Sequence, residues 1–153
     1  MSRTWKVAVL MGSESDRTKM APAATTLAEF GIEVDERVTS AHRTPDLVAE
    51  FARSAREAGY GALICGAGMA AHLPGAAAAH TTLPVVGVPL SGSALNGLDA
   101  LYGIVQMPKE VPVATVAIDG AMNAALLVVQ MLAISDAGLA DQLEARKRRL
   151  AEQ

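Results

Sequence analysis

Short apolar runs alternate with helical patterns along the chain. Val7-Ala8-Val9-Leu10-Met11 is continuous rather than alternating, as in a strand buried on both faces. Ala62-Leu63-Ile64-Cys65 and Val85-Val86-Gly87-Val88 read the same way. Val34 to Val38 is a weaker strand, and Val113 to Ile118 is the fifth. Between them, Met20, Leu27 and Phe30 set the period of a first helix. Pro22 interrupts it, because an interior proline removes a hydrogen bond and kinks the turn. The second helix is better bounded. Thr44 is its N-cap, Pro45 fits the first helical position, and Gly59 ends it. Its apolar face is Leu47, Val48, Phe51, Ala52, Ala55 and Ala58. Pro74 opens a short third helix through His80. Asn96 is expected to cap a fourth, with Leu98, Leu101, Tyr102 and Val105 as its core face. Asn123 caps a fifth through Ile134, and an amphipathic sixth runs from about Ala137 to the end with Leu139, Leu143 and Leu150 on its apolar side.

Five strands alternating with helices predict an α/β fold. The expected form is a three-layer αβα sandwich with a central parallel sheet of about five strands and helices on both faces. A length of 153 residues fits one domain spanning residues 1–153. In such sheets ligands bind beyond the carboxyl ends of the strands, so the loops after each strand carry the functional expectations.

Composition narrows the classes. With 51% hydrophobic and 19% charged residues, intrinsic disorder is excluded. The aromatic residues are few, so stacking on single-stranded nucleic acid is disfavoured. Net charge is −3 and the basic residues cluster only at the C-terminus, which disfavours electrostatic nucleic-acid binding. The single Cys65 leaves no intrachain disulfide and no cysteine-based zinc site, and no histidines stand at ligand spacing. Met1 to Lys6 lacks the apolar stretch of a signal peptide. The strongest apolar segment, Ala124 to Ile134, is broken by Gln130 and falls short of the ~20 residues a membrane span needs. A soluble, cytoplasmic protein is expected.

Four loops can carry chemistry. Gly12-Ser13-Glu14-Ser15-Asp16 joins a strand to a helix, and its hydroxyls with free helix N–H groups can cradle a phosphate. Asp16 can accept from ribose hydroxyls or cap the helix. In Thr39-Ser40-Ala41-His42-Arg43-Thr44-Pro45, Arg43 at a helix N-terminus makes an anion site. His42 is the acid/base candidate, because a cation and a helix N-terminus beside it favour the neutral imidazole. In Gly66-Ala67-Gly68-Met69-Ala70-Ala71-His72-Leu73-Pro74-Gly75, small residues let a ligand lie on the backbone. Gly66 to Ala71 also fits the dinucleotide pattern G-x-G-x-x-A. However, it stands at the third strand, and no acidic residue ends the next strand. His72 can touch substrate or satisfy backbone groups. Ser91-Gly92-Ser93-Ala94-Leu95-Asn96-Gly97 can wall a pocket or be an ordinary connection. Cys65, inside a strand, is read as an inert core thiol.

Together these loops resemble the three signature loops of the N5-carboxyaminoimidazole ribonucleotide mutases, the small subunit of the purine-biosynthetic phosphoribosylaminoimidazole carboxylase system. Gly103-Ile104-Val105-Gln106-Met107-Pro108 and Asn123-Ala124-Ala125 fit as well. The resemblance implies a flavodoxin-like fold. It also implies an isomerase that moves a carboxyl group from nitrogen to carbon on a ribonucleotide, without metal or organic cofactor. A second branch of the family carboxylates aminoimidazole ribonucleotide directly with CO2. The Arg43-Thr44 pair and the Ala70-Ala71-His72-Leu73-Pro74 segment resemble the mutase branch, while Met69 stands where glycine is common. By this resemblance Ser13, Ser15 and Arg43 would hold the 5′-phosphate and Asp16 the ribose. Ser40, Ala41, Gly68, Met69, Ala70, Ala71, His72 and Leu73 would enclose the imidazole and carboxylate. His42 would be the general acid/base. The resemblance further implies a homo-octamer and an ATP-dependent synthetase that supplies the substrate. From another class, a non-catalytic nucleotide-binding module remains as a rival. A phospho-receiver would need acidic residues that the third loop lacks, and a flavin module would be yellow.

Overall fold

The computed structural model describes residues 3–153. Met1 and Ser2, which begin the segment read above for a leader, lie outside the described residues. Five parallel strands form one sheet: β1 (Lys6–Met11), β2 (Glu33–Val38), β3 (Tyr60–Gly68), β4 (Val85–Leu90) and β5 (Ala114–Thr115). Their order is β2-β1-β3-β4-β5. This is the flavodoxin-like αβα fold, whose strand order reverses between β1 and β3, and ligands settle at that crevice.

The helices are α1 (Arg17–Glu29), α2 (Pro45–Ser54), α3 (Leu73–Ala78), α4 (Leu98–Val105), α5 (Ala121–Ala133) and α6 (Ala137–Ala151). The continuous apolar run of β1 serves both faces. Val7, Val9 and Met11 pack with α1, α5 and α6, while Ala8 and Leu10 pack with α2, α3 and α4. The outer layers approach the sheet closely where it carries glycine. A Cβ on Gly66 would overlap Met20 of α1, and one on Gly87 would overlap Ile104 of α4. At the far end of the sheet, Trp5 Nε1 donates to the Asp136 carboxylate at 2.8 Å, and that carboxylate also caps α6 by accepting from Leu139 N–H. No helix among the described residues is long and apolar enough to cross a membrane.

Several boundaries differ from the sequence pattern. Helix α1 runs unbroken through Pro22. The proline faces solvent, while Met20, Ala23 and Leu27 on the opposite side are fully buried and hold the helix to the sheet. Strand β5 has only two ladder residues instead of six. The carbonyls of Gly87 and Pro89 both accept from this part of the chain, but Pro89 has no N–H to return, so the ladder stops. Thr44 occupies the N-cap position of α2 without capping it. Its hydroxyl instead donates to the Ser40 carbonyl at 2.9 Å and accepts from Ser40 N–H at 3.0 Å. Helix α5 begins at Ala121, so Asn123 lies within its first turn rather than capping it. Helix α4 is rotated from expectation. It begins after Gly97, at φ +88°, and buries Ala100 and Ile104. Leu98, Tyr102 and Val105 are exposed instead, as are Leu47 on α2 and Leu150 on α6.

Candidate active site

Every loop at the carboxyl edge of β1 to β4 opens into one cleft of about 680 Å³. After β1, Glu14–Asp16 form a single 3-10 turn. Ser13 Oγ accepts from Ser15 N–H and lies 3.0 Å from Ser15 Oγ, which brings two hydroxyls and a main-chain turn to the cleft wall. Asp16 stands at the N-cap position of α1 but makes no capping hydrogen bond. Its carboxylate therefore remains available to a ligand. Burial raises its carboxyl above the ordinary range, against the pull of the Ser13 main chain and the charge of Lys19.

After β2, Ser40 shapes the loop. Its Oγ accepts from the N–H groups of His42 at 3.3 Å and Arg43 at 3.1 Å. Together with the Thr44 hydroxyl this closes the turn and aims both side chains at the cleft. Arg43 is exposed, and its guanidinium has no protein partner among the described residues. A planar cation lining the same cleft as two hydroxyls suits a phosphate.

After β3, the chain enters left-handed conformation at Met69, with φ +55° and the side chain exposed. A non-glycine residue there is strained, which accounts structurally for a position where glycine would sit easily. The turn delivers His72 to His42. Nε2 of His42 lies 2.6 Å from Nδ1 of His72, with the rings edge-on at 4.7 Å between centroids. At that distance one nitrogen must donate and the other accept, so the two rings share one proton position.

The residues singled out from sequence converge. Ser13, Ser15, Asp16, Ser40, Ala41, His42, Arg43, Gly68, Met69, Ala70, His72 and Leu73 all line the cleft. Ala71 does not. It is buried beneath α4, with Gly103 against its backbone. Gly66 is likewise used for packing by Met20 rather than for close approach of a ligand. Ser91, Gly92 and Ser93 form a wall of the cleft, which decides between the two readings of that loop. Lys19 also lines the cleft and had not stood out in the sequence. Its signal was spacing: three positions after Asp16, it shares the same helix face. Cys65 is fully buried, and burial pushes its thiol up to about 12, so it is inert. Among the described residues, no group of three or more His, Cys, Asp or Glu side chains could hold a metal ion.

This arrangement, with hydroxyl- and arginine-bearing loops and an imidazole pair at the switch point of a parallel sheet, is accompanied by a match of residues 6–153 to the family described as AIR carboxylase. The chain belongs to that family of enzymes. Its curated relatives are more particular. The N5-carboxyaminoimidazole ribonucleotide mutase of Saccharolobus solfataricus is 53% identical over 91% of this chain and 88% of its own length. Those of Mycobacterium leprae and Bacillus subtilis are 53% and 52% identical, covering 99% and 92% of this chain and 89% and 88% of theirs. Among solved structures, PurE of Treponema denticola superposes with a TM-score of 0.87 at 28% identity, covering 96% of this chain and 92% of that one.

Proposed function

We propose that this chain converts N5-carboxyaminoimidazole ribonucleotide to 4-carboxy-5-aminoimidazole ribonucleotide in purine biosynthesis. The observation that carries the reading is the single cleft lined by Arg43 with no partner among the described residues, the Ser13 and Ser15 hydroxyls, an uncapping Asp16 and the His42–His72 pair. Relatives at about half identity named for this reaction support it.

In this reading Ser13, Ser15 and Arg43 hold the 5′-phosphate, and Asp16 accepts from the ribose hydroxyls. The imidazole and its carboxylate lie among Ser40, Ala41, Gly68, Met69, Ala70 and Leu73, with His72 beside them. His42 is the general acid/base. The N5–carboxyl bond breaks to give CO2, and His42 delivers a proton to the nitrogen left behind. C4 then attacks the retained CO2, and His42 recovers the proton that C4 loses. Atoms balance, and the enzyme returns to its starting state. Holding CO2 against the imidazole replaces a dilute encounter, an effect worth up to ~7–11 kcal/mol in favourable cases. Positioned proton transfer adds about 10²–10⁴-fold. His72, 2.6 Å from His42, orients the imidazole and fixes which nitrogen faces the substrate.

In one chain the cleft opens to solvent, and α4 presents Leu98, Tyr102 and Val105 to solvent as well. A homo-octamer that buries these side chains and closes the cleft is the assembly we infer. The setting is cytoplasmic, downstream of an ATP-dependent synthetase that carboxylates aminoimidazole ribonucleotide on nitrogen. Assaying the purified protein with each substrate, N5-carboxyaminoimidazole ribonucleotide or aminoimidazole ribonucleotide plus bicarbonate, separates the mutase from the direct carboxylase. Turnover of the first alone is the expected result. Turnover of the second alone assigns the chain to the other branch.

A further inference from the structure

Lys19 lies in the first turn of α1, half-buried on the cleft wall. Its ammonium donates to the Ser91 carbonyl at 2.5 Å and contacts Ser91 Oγ at 3.1 Å, which bridges α1 to the loop after β4. Ser91 is also held from its other side. Its N–H donates to the Asp119 carboxylate at 2.9 Å, and its hydroxyl donates to the second oxygen of that carboxylate. Asp119 itself sits at φ +59°, pinned by its N–H to the Pro89 carbonyl at 2.8 Å. Burial pushes the Asp119 carboxyl up, but the two Ser91 hydrogen bonds and the Lys19 charge outweigh it and hold the group below its ordinary value. The bridge also dictates its neighbour. Gly92 is at φ +107°, and a Cβ there would stand 3.0 Å from Lys19 Nζ.

We propose that Lys19 is a positioning residue for the reaction. Through Ser91, and opposed by Asp119, it fixes the Ser91–Ser93 wall of the cleft against the phosphate- and ribose-facing loop that ends at Asp16. Three segments distant in sequence are thereby locked together at the edge where substrate lies. The ammonium suits this task because a hydrogen bond from a charged donor is about twice as strong as a neutral one. None of the reacting atoms needs to meet Lys19. Its removal loosens a wall that contacts substrate in the ground and transition states alike, so the loss falls on KM rather than kcat.

The inference rests on the mutase reading, so the test separates the two. Wild-type protein is first assayed with N5-carboxyaminoimidazole ribonucleotide, and absence of product there counts against the mutase reading alone. Amide hydrogen exchange across residues 91–93 then reads the wall without substrate. In Lys19→Met, exchange in that segment rises and KM increases about tenfold with kcat nearly kept, the size expected for losing a charged hydrogen bond. Lys19→Arg restores most of both. The double variant Lys19→Met/Asp119→Asn is no worse than the poorer single, because both act through Ser91. If Lys19→Met folds poorly, Ser91→Ala removes the shared hydroxyl and shifts exchange and KM in the same direction. Unchanged exchange at 91–93 in these variants, a loss confined to kcat, or full additivity overturns the proposal.

Discussion

The two helical layers of this molecule are built to different standards. The layer of α1, α5 and α6 is the more nearly finished within one chain, although Met122, Leu150 and Ile134 at the end of α5 stay in solvent. Met20, Ala23, Leu27, Ala124, Ala125, Val128 and Val129 are fully buried against Val7, Val9, Ile64, Val86 and Val88. The layer of α2, α3 and α4 buries Val48, Ala52, Ala77, Ala100 and Ile104, yet leaves Leu47, Leu98, Tyr102 and Val105 in solvent. The histidine pair belongs to the unfinished layer, since His42 precedes α2 and His72 precedes α3. The loop after β1, which leads into α1, belongs to the finished one. The larger buried cluster thus lies on one side of the sheet, and the proton chemistry proposed above on the other.

Substitutions that strike one layer and spare the other test this division. The largest effect is expected from His42→Asn. Turnover falls by about 10²–10⁴-fold, the span of general acid–base catalysis, while nucleotide affinity by calorimetry is nearly kept. Near-normal turnover would remove His42 from its role. In the finished layer, Leu27→Ala opens a cavity at a fully buried site. It lowers unfolding free energy by roughly 2–5 kcal/mol in denaturant titration, with kcat little changed in the folded fraction. Arg43→Ala sits between the two, since it removes the cation proposed to hold the phosphate. Affinity weakens about tenfold or more, with folding unaffected. On the unfinished layer, Leu98→Asp changes the stability of the isolated fold by no more than about 0.5 kcal/mol. For the octamer proposed above, it shifts the sedimenting species to smaller ones in analytical ultracentrifugation. Acid provides the smallest contrast. Trp5 Nε1–H and the Leu139 N–H hold the Asp136 carboxyl below its ordinary value. A lowered acid favours the folded state above its unfolded pKa of about 3.9, and that contribution is lost as pH falls through the folded value. Asp136→Asn therefore flattens the fall in Tm below about pH 4 without touching turnover at neutral pH.

The same division explains what the sequence made legible. Strands β1, β3 and β4 were readable because burial on both faces leaves unbroken apolar runs. The three loops were readable because hydroxyls, a histidine–arginine pair and glycines cluster at strand ends. Helix α4 was misjudged because its apolar residues point away from the sheet. An apolar row at helical spacing predicts a face packed on the sheet, but in α4 the sheet takes Ala100 and Ile104 instead. Pro22 misled in the opposite way, since a proline on a solvent-facing side breaks no contact with the core. Thr44 kept its expected place but bonded backward to Ser40, a choice between two hydrogen bonds that spacing does not decide. Lys19 went unnoticed because its partner Ser91 is 72 positions away.

Retention of the carboxyl group in a single cleft is the centre of this account, and one reaction tests it. Purified protein is given N5-carboxyaminoimidazole ribonucleotide carrying an isotopic label in its carboxyl group, with unlabelled bicarbonate present and no ATP. The expected result is 4-carboxy-5-aminoimidazole ribonucleotide that keeps the label. Absence of product, or product whose carboxyl comes from the bicarbonate, would contradict it.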